Sequence, residues 1–253
     1  MSFTRVAVPL LLLLASTLWV PEVRAQTPGG ASQVDPAAIQ ALQAMGAHLQ
    51  TLKRFSVSTE VTGERVLLDG QKLQHSARAT LDVARPDRLH VRMSSPRSER
   101  ELFFDGKSVT LFTPAQKIYS TVEFSGTVGE LVERLQQRFG VEVPLSDLFL
   151  WGTPAAPVDR IQSAMNAGQD VIGGELCDHY AFRQGDFDWQ LWMTVGDRPL
   201  PRKLVITNRA DEARPQSVSR IDWNLKPAFT DAAFKFVPPK GSTRAEFVPL
   251  KAR

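Results

Sequence analysis

The chain has 253 residues, 43% of them hydrophobic, with 30 basic against 27 acidic side chains and a net charge of +3. That length suits one substantial core, and the single cysteine, Cys177, excludes an intramolecular disulfide, so stability must come from burial. Arginines alternate with acids, as between Ser95 and Glu101, and no basic run or aromatic-plus-glycine signature occurs, which argues against nucleic acid as a partner.

Arg5, the apolar run Val6 to Val20 and the small-residue site Val23-Arg24-Ala25 read as a secretory signal peptide over residues 1–25. The apolar run is broken by Pro9 and falls short of the roughly 20 residues that span a bilayer. No cysteine follows the cleavage site, so a soluble periplasmic product is expected rather than a lipid-anchored one. Residues 26–34 read as a disordered leader, and 35–253 as a single domain.

Asp35-Pro36 has the form of a helix start, a capping carboxylate followed by a proline whose missing N–H costs nothing in the first turn. Ala38, Leu42, Met45, Leu49 and Leu52 follow at helical spacing, which predicts one amphipathic helix over 36–54. From Phe55 the period becomes two. Phe55, Val57 and Val61, then Ala77, Ala79, Leu81 and Val83, then Leu89, Val91 and Met93 mark neighbouring antiparallel strands. Asp69-Gly70 and Asp105-Gly106 supply the positive φ of tight hairpin turns, giving a meander.

Thr127 and Glu130 stand at capping-box spacing before Leu131, Val132, Leu135 and Phe139, so a helix is expected over 128–138, ended by Gly140. Residues 144–151 read as a second, very apolar helical piece, followed by a proline-rich linker. Strands are expected over 170–182, 187–196, 202–209, 216–226 and 234–237. In the strand after Phe187, Trp189, Leu191 and Met193 share one face while Trp192 takes the other, so both faces require cover. The order predicts an α+β fold, a curled antiparallel sheet forming an incomplete barrel, with helices over its concave side.

The run Cys177-Asp178-His179, then Asp188-Trp189-Gln190-Leu191-Trp192, Pro199 to Thr207, Asp222-Trp223-Asn224 and Phe234 to Gly241 resembles the DUF2092 group of secreted bacterial proteins. That group is in turn similar to the periplasmic lipoprotein-carrier fold. The resemblance spans about residues 35 to 247 and implies an incomplete β-barrel, closed on one side by helices, whose hollow accepts acyl chains. No arginine here sits in a motif that matches the carriers' lid-locking arginine.

On this reading Leu131, Val132, Leu135, Phe139, Leu145, Leu148, Phe149 and Trp151 form an apolar lid over a pocket lined by Phe103, Phe112, Trp192 and Trp223. Gly140 and the stretch 152–157 are the expected pivots. Cys177 and His179 project to the same side of a strand, but their starting separation of about 6 to 7 Å is long for proton transfer. A buried structural cysteine is therefore expected, with no catalytic residue, no metal ligand and no cofactor. None of the phosphate-binding, serine-hydrolase, zinc-protease or paired-cysteine motifs is present.

The leading expectation is a monomeric periplasmic binding protein for a lipid or a lipoprotein acyl chain, with transient contact to a membrane surface, acting as carrier, chaperone or sensor. The alternatives are a regulatory module that binds an envelope protein without lipid, and a Cys177-dependent enzyme or metal protein.

Overall fold

In the computed structural model, the described residues are 34–248, all within one compact unit, 32–253. The signal-peptide reading and nearly all of the leader reading lie outside them. The chain opens with helix α1 (Pro36–Thr51), whose N-cap Asp35 accepts a hydrogen bond from the Ala37 N–H, as the Asp-Pro pair requires. Its buried stripe is Ala38, Leu42, Met45, Gly46 and Leu49. Val34, at the end of the expected leader, forms a parallel bridge with Ala164.

Six strands follow as a meander: β1 (Arg54–Val66), β2 (Lys72–Ala84), β3 (Arg88–Ser95), β4 (Ser98–Phe104), β5 (Ser108–Thr113) and β6 (Ile118–Glu123). Gly70 and Gly106 have φ of 84° and 85° in the expected turns, and the Asp105 carboxylate accepts from the N–H groups of Lys107 and Ser108. Helix α2 (Val128–Phe139) carries the full capping box of Thr127 and Glu130, and Gly140 closes it in the left-handed region. Helix α3 (Asp147–Leu150) is shorter than the expected 144–151 piece. Leu145 sits at φ 55°, which interrupts helical geometry just before it.

The second half is β7 (Ser163–Ile172), β8 (Glu175–Gln184), β9 (Phe187–Thr194), β10 (Pro201–Asn208) and β11 (Gln216–Asn224). The single strand expected over 170–182 is instead a hairpin, because Gly173 and Gly174 take φ of 59° and 84° and turn the chain back. The strand expected over 234–237 is absent. Residues Asp231–Phe234 form a 3-10 turn, Pro238 and Pro239 cannot donate to a ladder, and pairing resumes only in β12 (Thr243–Arg244).

All twelve strands form one sheet in the order β12-β6-β5-β4-β3-β2-β1-β11-β10-β9-β8-β7. Neighbours are antiparallel apart from β12, which runs parallel to β6. The sheet does not close on itself, since β7 and β12 are its two edges. Alternate residues of the strands, among them Phe55, Val57, Leu81, Val83, Leu89, Val91, Leu102, Phe104, Phe182, Leu191 and Ile221, form one buried cluster with the apolar faces of all three helices. This inner, helix-covered face is the main core. The expected α+β fold, a curled and unclosed antiparallel sheet with helices on one face, is the fold observed.

Candidate functional site

Large side chains do not fill the whole inner face. Where β1, β2, β3, β10 and β11 run side by side, the inward positions are Val61, Ala77, Ala79, Met93, Leu204, Ile206, Ser217 and Ser219. Four of these are alanine or serine at period-two spacing on two strands, too short to reach the roof. The roof is Val132 and Gln136 of α2 and the loop from Glu142 to Asp147. Between floor and roof lies a cavity of about 320 Å³. A second, of about 340 Å³, is lined by Val91, Met93, Leu102, Leu111, Val141 and Val143 among others. Met93, Glu142, Val143 and Pro144 border both cavities, so the 142–144 stretch is the partition between them.

The two ends of this roof are held differently. After α3 the chain is clamped to α1: a Cβ on Gly46 would stand 2.5 Å from the backbone nitrogen of Gly152, so only glycine permits the approach. Gln50 Nε2 also donates to the Trp151 carbonyl at 2.7 Å. The stretch at Gly152, expected as a pivot, is thus a fixed point. Between Gly140 and α3, by contrast, the loop's backbone bonds among the described residues are short-range, Val141 N–H to Leu135 O, Ser146 N–H to Val143 O, Leu148 N–H to Leu145 O and Phe149 N–H to Ser146 O.

A group not anticipated from the sequence also ties the roof to the sheet. The half-buried Arg85, just past β2, donates from Nη2 to the Leu148 carbonyl at 3.3 Å, with its guanidinium 5.9 Å from the ring centres of both Phe55 and Phe149. Burial pulls this arginine below its ordinary pKa. The only sequence signal for it is a cation directly after the apolar run Leu81-Asp82-Val83-Ala84.

The residues expected as lid and lining divide into three groups. Val132 and Leu145 border the first cavity. Leu131, Leu135, Leu148 and Phe149, each 1% exposed, and Trp151 are packed core, and Phe139 packs against it, its ring 4.5 Å from Phe247 near the C-terminus. Trp223 is on the inner face but at the filled end, 5.4 Å from the Phe55 ring, with Nε1 donating to the Pro201 carbonyl. Phe103, Phe112 and Trp192 face the other way. Register pairs Phe103 with His90 and Phe112 with Tyr119 on the outer face, where Phe236 of the C-terminal segment covers Phe103, Phe112 and Tyr119 at 5.1 to 5.3 Å. Because adjacent strand residues alternate faces, Leu102 and Phe104 point inward and Phe103 cannot. The real floor was missed because alanine and serine carry little hydrophobic signal.

On the outer face Trp192 is held between the His179 ring, 4.0 Å away and nearly parallel, and the Lys203 ammonium at 4.1 Å. Its Nε1 donates to Asp170 at 2.7 Å. Cys177 is fully buried beneath this group with Val205, and burial pushes its thiol pKa up. His179 shares a hydrogen bond with Gln190 rather than with Cys177. Among the described residues no group of three or more histidine, cysteine, aspartate or glutamate side chains is placed to hold a metal ion, and no helix is long and apolar enough to cross a membrane.

The family model described as "Predicted periplasmic protein (DUF2092)" matches residues 38–248, so the chain belongs to that family and is a periplasmic protein. No curated protein matches it. Among solved structures, it is similar to an uncharacterized conserved protein from Thermus thermophilus, with 12% identity and a TM-score of 0.48, covering 82% of this chain and 99% of that one. It is also similar to LprF from Mycobacterium bovis, with 14% identity and a TM-score of 0.43, covering 85% of this chain and 100% of that one. A third is a LolA superfamily protein from Nitrosomonas europaea, with 13% identity and a TM-score of 0.37, covering 79% of this chain and 97% of that one.

Proposed function

We propose that this member of the DUF2092 family is a non-enzymatic periplasmic binding protein that shelters the acyl part of a lipid or lipoprotein beneath its α2–α3 roof. It would act as a carrier, chaperone or sensor of that guest. The observation that carries the reading is the 320 Å³ hollow between a floor of short side chains and a roof whose far end is clamped to α1. Its volume falls in the range of small-molecule sites, roughly 300 to 1,000 Å³. Each methylene taken from water into such a space gains about 0.8 kcal/mol, so a short stretch of chain suffices for useful affinity. The sealed, protonation-favouring Cys177 lends no support to thiol chemistry.

A palmitoyl ester carrying a diazirine tests the reading. Photolysis is expected to label peptides containing Ala77 to Met93 or Leu204 to Ser219. Label confined to outer-face peptides around Trp192 or Phe236, or no label, would contradict it. A second reading, an interaction module for an envelope protein, draws on Met165, Val171 and Leu176, which are 52%, 66% and 50% exposed along the β7–β8 edge of the sheet. It predicts capture of a protein partner by that edge without stoichiometric lipid.

A further inference from the structure

The two hollows under the roof lie side by side on the sheet. The first has its floor on β10, β11, β1, β2 and β3, and the second on β3, β4 and β5, so that together they cross seven consecutive strands with β3 in common. Met93 of β3 borders both from the sheet, and Glu142, Val143 and Pro144 border both from the roof. One strand position and three loop residues therefore divide them.

That divider is weakly built. Among the described residues no hydrogen bond or ion pair ties Glu142, Val143 or Pro144 to a strand, and the Val143 side chain is held by apolar packing in the core. Met93 is half-buried. Methionine is unbranched, with three rotatable bonds, and so is the apolar side chain that repacks most readily when its surroundings change.

Volume decides how the two spaces are used. A methylene takes about the room of a water molecule, roughly 30 Å³, so about ten methylenes fill either hollow, the first being about 320 Å³ and the second about 340 Å³. A chain that reaches the midplane of a bilayer whose hydrocarbon core is roughly 30 Å thick carries more than about ten. Such a chain overfills one hollow and fits in the pair.

We infer that the guest is a single long chain, of more than about ten methylenes, which runs through both hollows beneath the 142–144 loop, and that Met93 and Val143 set the chain length admitted. The inference rests on the proposal that the first hollow receives an acyl chain. It adds the second compartment and the length class of the chain.

Alkyl maltosides with eight to sixteen carbons share one uncharged head and differ only in the chain. Each would be equilibrated by dialysis, below its micelle concentration, against the full-length mature protein. Affinity is expected to rise about threefold to fourfold with every added methylene and to go on rising past ten carbons, so that the sixteen-carbon probe binds at least about a hundredfold more tightly than the ten-carbon one. In Val143→Trp, which thickens the divider, that gain should fall below about tenfold while the eight-carbon probe binds within about threefold of wild type. The wild-type series tests the inference independently of how the variant folds. A wild-type affinity that levels off at ten carbons, or a gain that Val143→Trp leaves intact while folded, overturns passage through the divider and leaves acyl sheltering standing. Binding of none of the probes overturns both.

Discussion

The inner face of the sheet has two halves built on the same period-two alternation, and they end in opposite states. Where β8 and β9 meet α1 and α3, the inward residues are Tyr180, Phe182, Trp189, Leu191 and Met193; Phe182 and Trp189 stack at 4.0 Å, Trp189 meets Trp151 at 6.4 Å, and the space is filled. Where β2 and β11 meet the loop after α2, the inward residues are Ala77, Ala79, Ser217 and Ser219, and the space is hollow. Burial pattern alone does not separate a packed core from a cavity. Side-chain volume at alternate positions does, because interiors close to crystal-like density wherever volume allows.

That contrast can be broken from either side. Phe182→Ala in the filled half should cost about 3 to 5 kcal/mol of stability in denaturant unfolding, since a fully packed ring leaves a cavity behind. A loss below about 1 kcal/mol would mean that this half is not the rigid one. Ala77→Leu in the hollow half should do the reverse. It displaces about three methylenes of guest at about 0.8 kcal/mol each, a loss of roughly fifty-fold in affinity, while unfolding shifts by no more than about 1.5 kcal/mol because the added volume enters free space. Unchanged affinity would place the guest elsewhere.

Smaller effects sharpen the account of the roof. Arg85→Met removes the bond to the Leu148 carbonyl and should cost about 1 to 2 kcal/mol while loosening the roof, seen as faster exchange of the α3 amides. Thr127→Ala removes the cap of α2, whose side chain accepts from the Glu130 N–H at 3.2 Å, and should cost about 1 kcal/mol.

Two titrating groups give opposite slopes. Asp147 has a raised folded pKa, so its stability contribution is complete below the unfolded value of 3.8 and declines as pH rises through the folded value. Asp147→Asn should therefore be more stable than wild type at neutral pH. His90, on the outer face beside Glu101 at 3.0 Å, is lowered chiefly by burial. Its contribution is present above the unfolded value of 6.5 and is lost as pH falls below it, and His90→Gln should flatten that limb of a stability-versus-pH curve.

Much of the fold was legible because it depends on strong local signals. The Asp35-Pro36 start, the Thr127 and Glu130 capping box, the Asp-Gly turns and the alternation from Phe55 to Met93 each specify backbone geometry directly. The cavity was not, because it is defined by what is missing. Leu131, Leu148 and Phe149 drew attention by their size, yet size is what lets them pack solidly. Phe103, Phe112 and Trp192 were assigned to the wrong side for lack of a register, which only pairing with His90, Tyr119 and His179 reveals. Their cover, Phe236 and the β7–β8 hairpin, comes from distant sequence, and Arg85 gains meaning only once Leu148 lies across from it.

The central claim is that the hollow half of the inner face carries an apolar guest. The direct measurement is the mass of the mature protein purified from a bacterial periplasm, recorded under native and then denaturing conditions, for wild type and Ala77→Leu. The account predicts a native excess matching a lipid, lost on denaturation and much reduced in the variant. Identical native and denatured masses for the wild type, even after incubation with envelope lipids, would contradict it.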